Sequence, residues 1–100
     1  MKAAGIAYLE ALEQVIEQRK AAPADQSYTA KLYAAGRSRI AQKVGEEALE
    51  LALASMQDDR KRTLSEAADL MYHLLVLLVS RGLSISQVVS VLQSRRSTAN

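Results

Sequence analysis

A chain of 100 residues with one proline, Pro23, and four glycines, Gly5, Gly36, Gly45 and Gly82, has very few points at which a helix must stop. Between these breakers apolar residues recur at helical spacing, which predicts a few long helices instead of many strands and turns. The fold class expected is all-α: a single domain over residues 1–100, a helical bundle built on an antiparallel helix hairpin. Hydrophobic residues make up 49%, but alanine supplies much of that share and neither Phe nor Trp is present. Such small side chains suit closely approaching helices. A domain of this size removes only about 60–70% of its unfolded surface from water, so a homodimer or higher homo-oligomer is the expected supplement to a modest core.

The first helix should run from about Ala3 to Lys20, with Ile6, Leu9, Leu12 or Glu13, and Ile16 on one face. The segment AAPADQS then reads as loop, because Pro23 disfavours a helical residue before it. A short helix follows over Tyr28–Ala35, capped by Ser27 and stopped by Gly36. Two longer ones, Ser38 to Met56 and Arg60 to Ser80, are joined by QDDR, a length suited to an antiparallel hairpin. Beyond Gly82, Ser84 and Gln87 form a capping-box pattern ahead of a last helix, Ile85 to about Arg95, whose Ile85, Val88, Val89 and Leu92 share a face. The tail STAN is expected to fray.

With no cysteine, disulfides, thiolate–zinc sites and thiol nucleophiles are excluded, and the cytoplasm is the expected compartment. The start meets Glu10 and Glu13 before any sustained apolar stretch, so no signal peptide is expected. The longest purely apolar run, Leu74 to Val79, is far short of the roughly 20 residues that span a bilayer, so no membrane association is expected. A net charge of +2, with basic residues scattered among acids, predicts no nucleic-acid partner.

Glu47 and Glu50 are three apart on the third helix, and Glu66 and Asp69 are three apart on the fourth, so each pair shares one helical face. The pairs are placed symmetrically about Asp58. Folding the hairpin there sets Glu50 level with Glu66, Glu47 with Asp69, and Lys43 with His73. Four carboxylates so close are unfavourable unless some are protonated or a cation lies among them. All-oxygen ligation suits a hard ion, and Mg²⁺ takes few protein carboxylates and fills its shell with water and substrate phosphates. Acids three apart on a helix also make an ordinary solvated face. Against that stand Val44, Ala48, Leu49, Leu51, Ala52, Leu53 and Met56, which spread around the third helix and place its acids in an apolar setting.

The run SYTAKLYAAGRSRIAQKVGEEALEL, followed by EAADLMYHLLVLLVSRGLSISQVVSVLQSR, resembles the phosphoribosyl-ATP pyrophosphatases of histidine biosynthesis, within the wider superfamily of all-helical MazG-like nucleotide pyrophosphohydrolases. The resemblance covers Ser27 to about Arg96. It implies a small-molecule nucleotide substrate and Mg²⁺-dependent hydrolysis of phosphoribosyl-ATP to phosphoribosyl-AMP and pyrophosphate. It also implies that Glu47, Glu50, Glu66 and Asp69 hold the metal. Glu46 and Glu47 are the candidate catalytic residues, Glu46 as general base, a role that a ligand or the metal alone would serve equally. Many relatives carry a fused cyclohydrolase, for which 100 residues leave no room. A house-cleaning nucleoside triphosphate pyrophosphohydrolase and a non-enzymatic helical assembly module are the alternatives.

Lys43, one turn before Glu47, is a candidate to hold a substrate phosphate or to pair with a carboxylate. Arg37 and Arg39 flank Ser38 at a helix start, where backbone N–H groups favour anions, so they either grip phosphates or remain solvated. Lys31, in the SYTAKL segment, is a candidate for the same anion. His73 shares the acid stripe but reads as a packed, hydrogen-bonded residue, and Tyr72 beside it as core.

Overall fold

The computed structural model describes residues 5–99, with side-chain burial through residue 96. Among the described residues five helices follow one another: α1 (Ala7–Arg19), α2 (Tyr28–Ala35), α3 (Arg37–Ala54), α4 (Arg60–Ser80) and α5 (Ile85–Ala99). Among the described residues there is no strand, so the fold is all-α. The expected start of the first helix at Ala3 lies outside the described residues, but Gly5 and Ile6 form a turn, so α1 begins only at Ala7 and Ile6, expected on its apolar face, is exposed.

Local chemistry sets the boundaries. Ser27 is extended, and its Oγ accepts from the Ala30 N–H at 2.9 Å, opening α2. Gly36, at φ +102°, closes α2 through bonds from its N–H to Leu32 and Tyr33 carbonyls, and its own carbonyl accepts from Ile40. One residue therefore serves both helices, and α3 starts at Arg37, one position before the expected Ser38. It ends at Ala54, two short of Met56, where the Ser55 hydroxyl turns back to the Ala52 carbonyl. Asp59 caps α4 by accepting from the Arg62 N–H. The Ser84–Gln87 capping box forms as expected, with Ser84 N–H donating to Gln87 Oε1 and Gln87 N–H to Ser84 Oγ. Helix α5 runs through Ala99, past the expected end near Arg95, since no breaker follows Gly82 and Arg96 in the last turn suits the dipole; Asn100 of the tail lies outside the described residues.

The core lies around the C-terminal half of α4. Leu75, Val76 and Val79 pack with Ile16 of α1, Leu32 of α2 and Ile40 of α3, with Leu9, Leu12, Tyr33, Tyr72, Leu77 and Ile85 around them. Glu13 is buried on α1, and its Oε2 accepts from the Ile85 N–H, tying α1 to the start of α5 across 72 residues of chain.

The N-terminal half of α4 has no buried residue, and this qualifies part of the sequence reading. Leu64 and Met71, on the side of α4 opposite its acids, are exposed, as are Leu49, Leu53 and Met56 of α3. The acids instead face the groove between the two helices. Apolar residues do surround α3, but many of them look outward and do not enclose the acids. By length and composition α4 is apolar enough to cross a membrane. It is also the centre of the bundle, and it carries Glu66 and Asp69 beside Glu47.

Candidate metal centre

The hairpin brings Glu47 of α3 together with Glu66 and Asp69 of α4. One carboxylate oxygen from each lies within 4.8 Å of the others. Glu47 is buried, Glu66 half-buried and Asp69 exposed, so the cluster opens to solvent on one side. Glu50 is exposed and stands outside this trio, although it is close enough to Glu66 to repel it. Symmetry about the turn thus placed three of the four acids at one point and the fourth at its edge.

Two oxygens in the cluster, Glu47 Oε1 and Glu66 Oε1, are buried without a hydrogen-bond partner. Buried acceptors are rarely left this way. Burial, and then repulsion from Glu50, Asp69 and Glu47, raises the Glu66 carboxyl above its usual range, with Arg62 opposing. Arg62 is itself a weak counter-ion, its Nε 3.9 Å from Glu66 Oε2. Unmet oxygens, crowded anions and an all-carboxylate donor set fit a hard divalent cation.

Lys43 sits one turn behind, its Nζ 3.3 Å from Glu47 Oε2 and 3.6 Å from Glu46 Oε1. Burial alone lowers its pKa, but the bond to Glu47 and the neighbouring Tyr28, Glu47 and Glu46 outweigh that and raise it, so it remains an ammonium. Glu46 is held away from the trio: besides Lys43, its Oε2 accepts from Gln42 at 2.9 Å. Arg37, Arg39 and Lys31 are all exposed, at the α2–α3 joint and on α2, and none joins the cluster.

His73, level with Lys43, is buried. Its Nδ1 is 2.7 Å from the Asp69 carbonyl, which can only accept, so Nδ1 carries the hydrogen. In the neutral ring Nε2 then accepts from the Tyr28 hydroxyl, also at 2.7 Å. Thr29 bonds to the Tyr72 hydroxyl beside it. Residues 28 and 29 thus latch α2 onto α4 one turn past Asp69. His73 and Tyr72 are the packed residues expected, but the roles of Tyr28 and Thr29 carried no signal in spacing or periodicity.

Fold and site together define a class: an all-helical protein with a carboxylate cluster of the kind that holds hard cations, set in the groove of an antiparallel hairpin. The model of the phosphoribosyl-ATP pyrophosphohydrolase family matches residues 9–96, and the chain belongs to that family. The match takes in most of α1, which the motifs had left to periodicity. Among curated proteins, the histidine biosynthesis bifunctional protein HisIE of Photobacterium profundum is 52% identical over 90 residues, covering 90% of this chain and 44% of that protein. The HisIE of Escherichia coli is 54% identical over 88 residues, covering 88% of this chain and 43% of its own length. That of Vibrio parahaemolyticus is 53% identical over 88 residues, with 42% of its length covered. The chain spans less than half the length of these relatives.

Proposed function

We propose that this chain hydrolyses phosphoribosyl-ATP to phosphoribosyl-AMP and pyrophosphate in histidine biosynthesis, with Mg²⁺ held by Glu47, Glu66 and Asp69. The observation that carries this is the trio with its two unpartnered oxygens, in a member of the phosphoribosyl-ATP pyrophosphohydrolase family. Glu50 stands at the open edge, placed to join the set when substrate closes it. Bound there, the cation would neutralise phosphate charge and lower the pKa of a water molecule.

The chain's own residues do the rest. Lys43 is near enough to the trio to exchange one of its carboxylate partners for a phosphate oxygen. Glu47, released from Lys43 in that exchange, is the group best placed to take a proton from attacking water, ahead of Glu46, which is bound to Gln42. Arg37, Arg39 and Lys31 supply positive potential at the rim, where solvent exposure leaves them free to follow the phosphates. A second copy of the chain would cover the outer face of the hairpin at Leu49, Leu53, Met56, Leu64 and Met71.

Pyrophosphate release from phosphoribosyl-ATP, compared with dATP and dCTP, tests this reading. Release should require Mg²⁺, favour phosphoribosyl-ATP, and fall at least about a hundredfold in Glu47→Gln, the scale of losing one charge-stabilising group. Undiminished activity in that variant would sink the assignment of the site.

A further inference from the structure

Tyrosines at a protein surface ordinarily bury the ring and leave the hydroxyl to water. Tyr28 is arranged the other way round. Its hydroxyl is engaged with the buried His73 at 2.7 Å, yet 49% of the residue is exposed, so the exposure falls largely on the ring. The ring is also held in place: it meets the His73 ring edge-on, with centroids 5.6 Å apart, and it starts a helix that Ser27 caps. An aromatic face that is open but immobilised loses little entropy when something packs on it.

Its position is informative. Along α4, His73 lies about 6 Å from Asp69, so Tyr28 stands one helical turn beyond the acids, on the Lys43 side. A nucleotide with its reacting phosphate at Glu47, Glu66 and Asp69 and the next oxygens at Lys43 would bring its nucleoside to this level. We infer that the Tyr28 ring is the platform on which the purine of the substrate stacks, with His73 as the residue that positions it. This rests on the proposed nucleotide hydrolysis for its substrate class, but it is tested by binding alone.

The test compares two probes with the same phosphates, ATP and inorganic tripolyphosphate, each titrated calorimetrically with Mg²⁺ into the wild type, Tyr28→Ala and Tyr28→Phe. Base–aromatic stacking is lost in Tyr28→Ala, which should weaken ATP about tenfold while shifting tripolyphosphate less than about twofold. Tyr28→Phe keeps the ring and drops the latch, and should weaken ATP by less than about threefold. Circular dichroism melts establish that each variant is folded. Equal losses for both probes, an ATP affinity unmoved by Tyr28→Ala, or a wild type that binds tripolyphosphate as tightly as ATP would each overturn the platform. Failure to hydrolyse phosphoribosyl-ATP would instead count against the proposed reaction and leave the differential binding intact.

Discussion

Glu47→Gln keeps the size of a side chain at the centre of the acid cluster and removes its charge, so it separates packing from cation binding. In the wild type Glu47 Oε1 is buried without a partner, and an unmet buried acceptor costs on the order of 1–3 kcal/mol. A cation meeting that oxygen recovers an amount of this order. For a chain of 100 residues the unfolding entropy near the midpoint is about 0.2 kcal/mol/K, so recovery of that energy corresponds to a rise in Tm of about 5–15 °C. By linkage, free Mg²⁺ at ten times its Kd supplies about 1.4 kcal/mol, or about 7 °C, within the same range. In Glu47→Gln the rise should fall below about a third of the wild-type value, while the melting point without Mg²⁺ should hold or increase, because one of three crowded anions is gone. Paired melts at matched ionic strength measure both. Equal Mg²⁺ shifts in the two proteins, or none in either, would refute the reasoning.

The raised pKa of Glu66 means that the folded state favours its protonated form. Its contribution to stability without Mg²⁺ is therefore full below the ordinary value of 4.5 and is lost as pH rises through the folded value. Melts of wild type against Glu66→Gln across that window should show this slope only in the wild type, with the Mg²⁺ shift growing as pH rises. Tyr33, whose hydroxyl donates to the Val76 carbonyl, has its pKa pushed up to about 12 by burial and then by Glu17 and Tyr72. Stability from this group is full below pH 10 and lost as pH rises toward about 12, so alkaline denaturation should start later in Tyr33→Phe. Leu75→Ala, at a fully buried position, should cost about 2–5 kcal/mol by urea denaturation. Leu53→Glu, on the outer face of the hairpin, should shift light-scattering mass toward the monomer with little change in monomer helicity; an unchanged mass would remove that face as the interface.

Helix count and the boundaries set by caps were readable because each rests on local chemistry: Ser27, Gly36, Asp59 and the Ser84–Gln87 box act within a few residues of themselves, whereas the uncapped start of α1 and the ends of α3 and α5 were misplaced by a few residues. The acid trio was readable for a related reason, since a hairpin of two helices converts symmetric spacing about the turn into proximity. What periodicity could not reveal is which apolar face each helix buries. Leu64 and Leu75 both lie on the side of α4 opposite its acids, yet only Leu75 is covered, because α1 and α2 reach one end of the helix. The Tyr28–His73 and Glu13–Ile85 bonds were equally hidden, being made across 45 and 72 residues. Family resemblance supplied the proposed substrate, which no carboxylate spacing specifies.

The Glu13–Ile85 bond has a kinetic consequence. Loop closure costs entropy that grows with the logarithm of the chain enclosed, so a contact across 72 residues forms with more delay than the hairpin joined by five. The helices that carry the acids should therefore pair early in folding, and the junction of α1 with α5 should close last and open first. Amide hydrogens at the start of α5 should exchange before those around Leu75, so the chain can fray where its two outer helices meet while its carboxylates stay gathered.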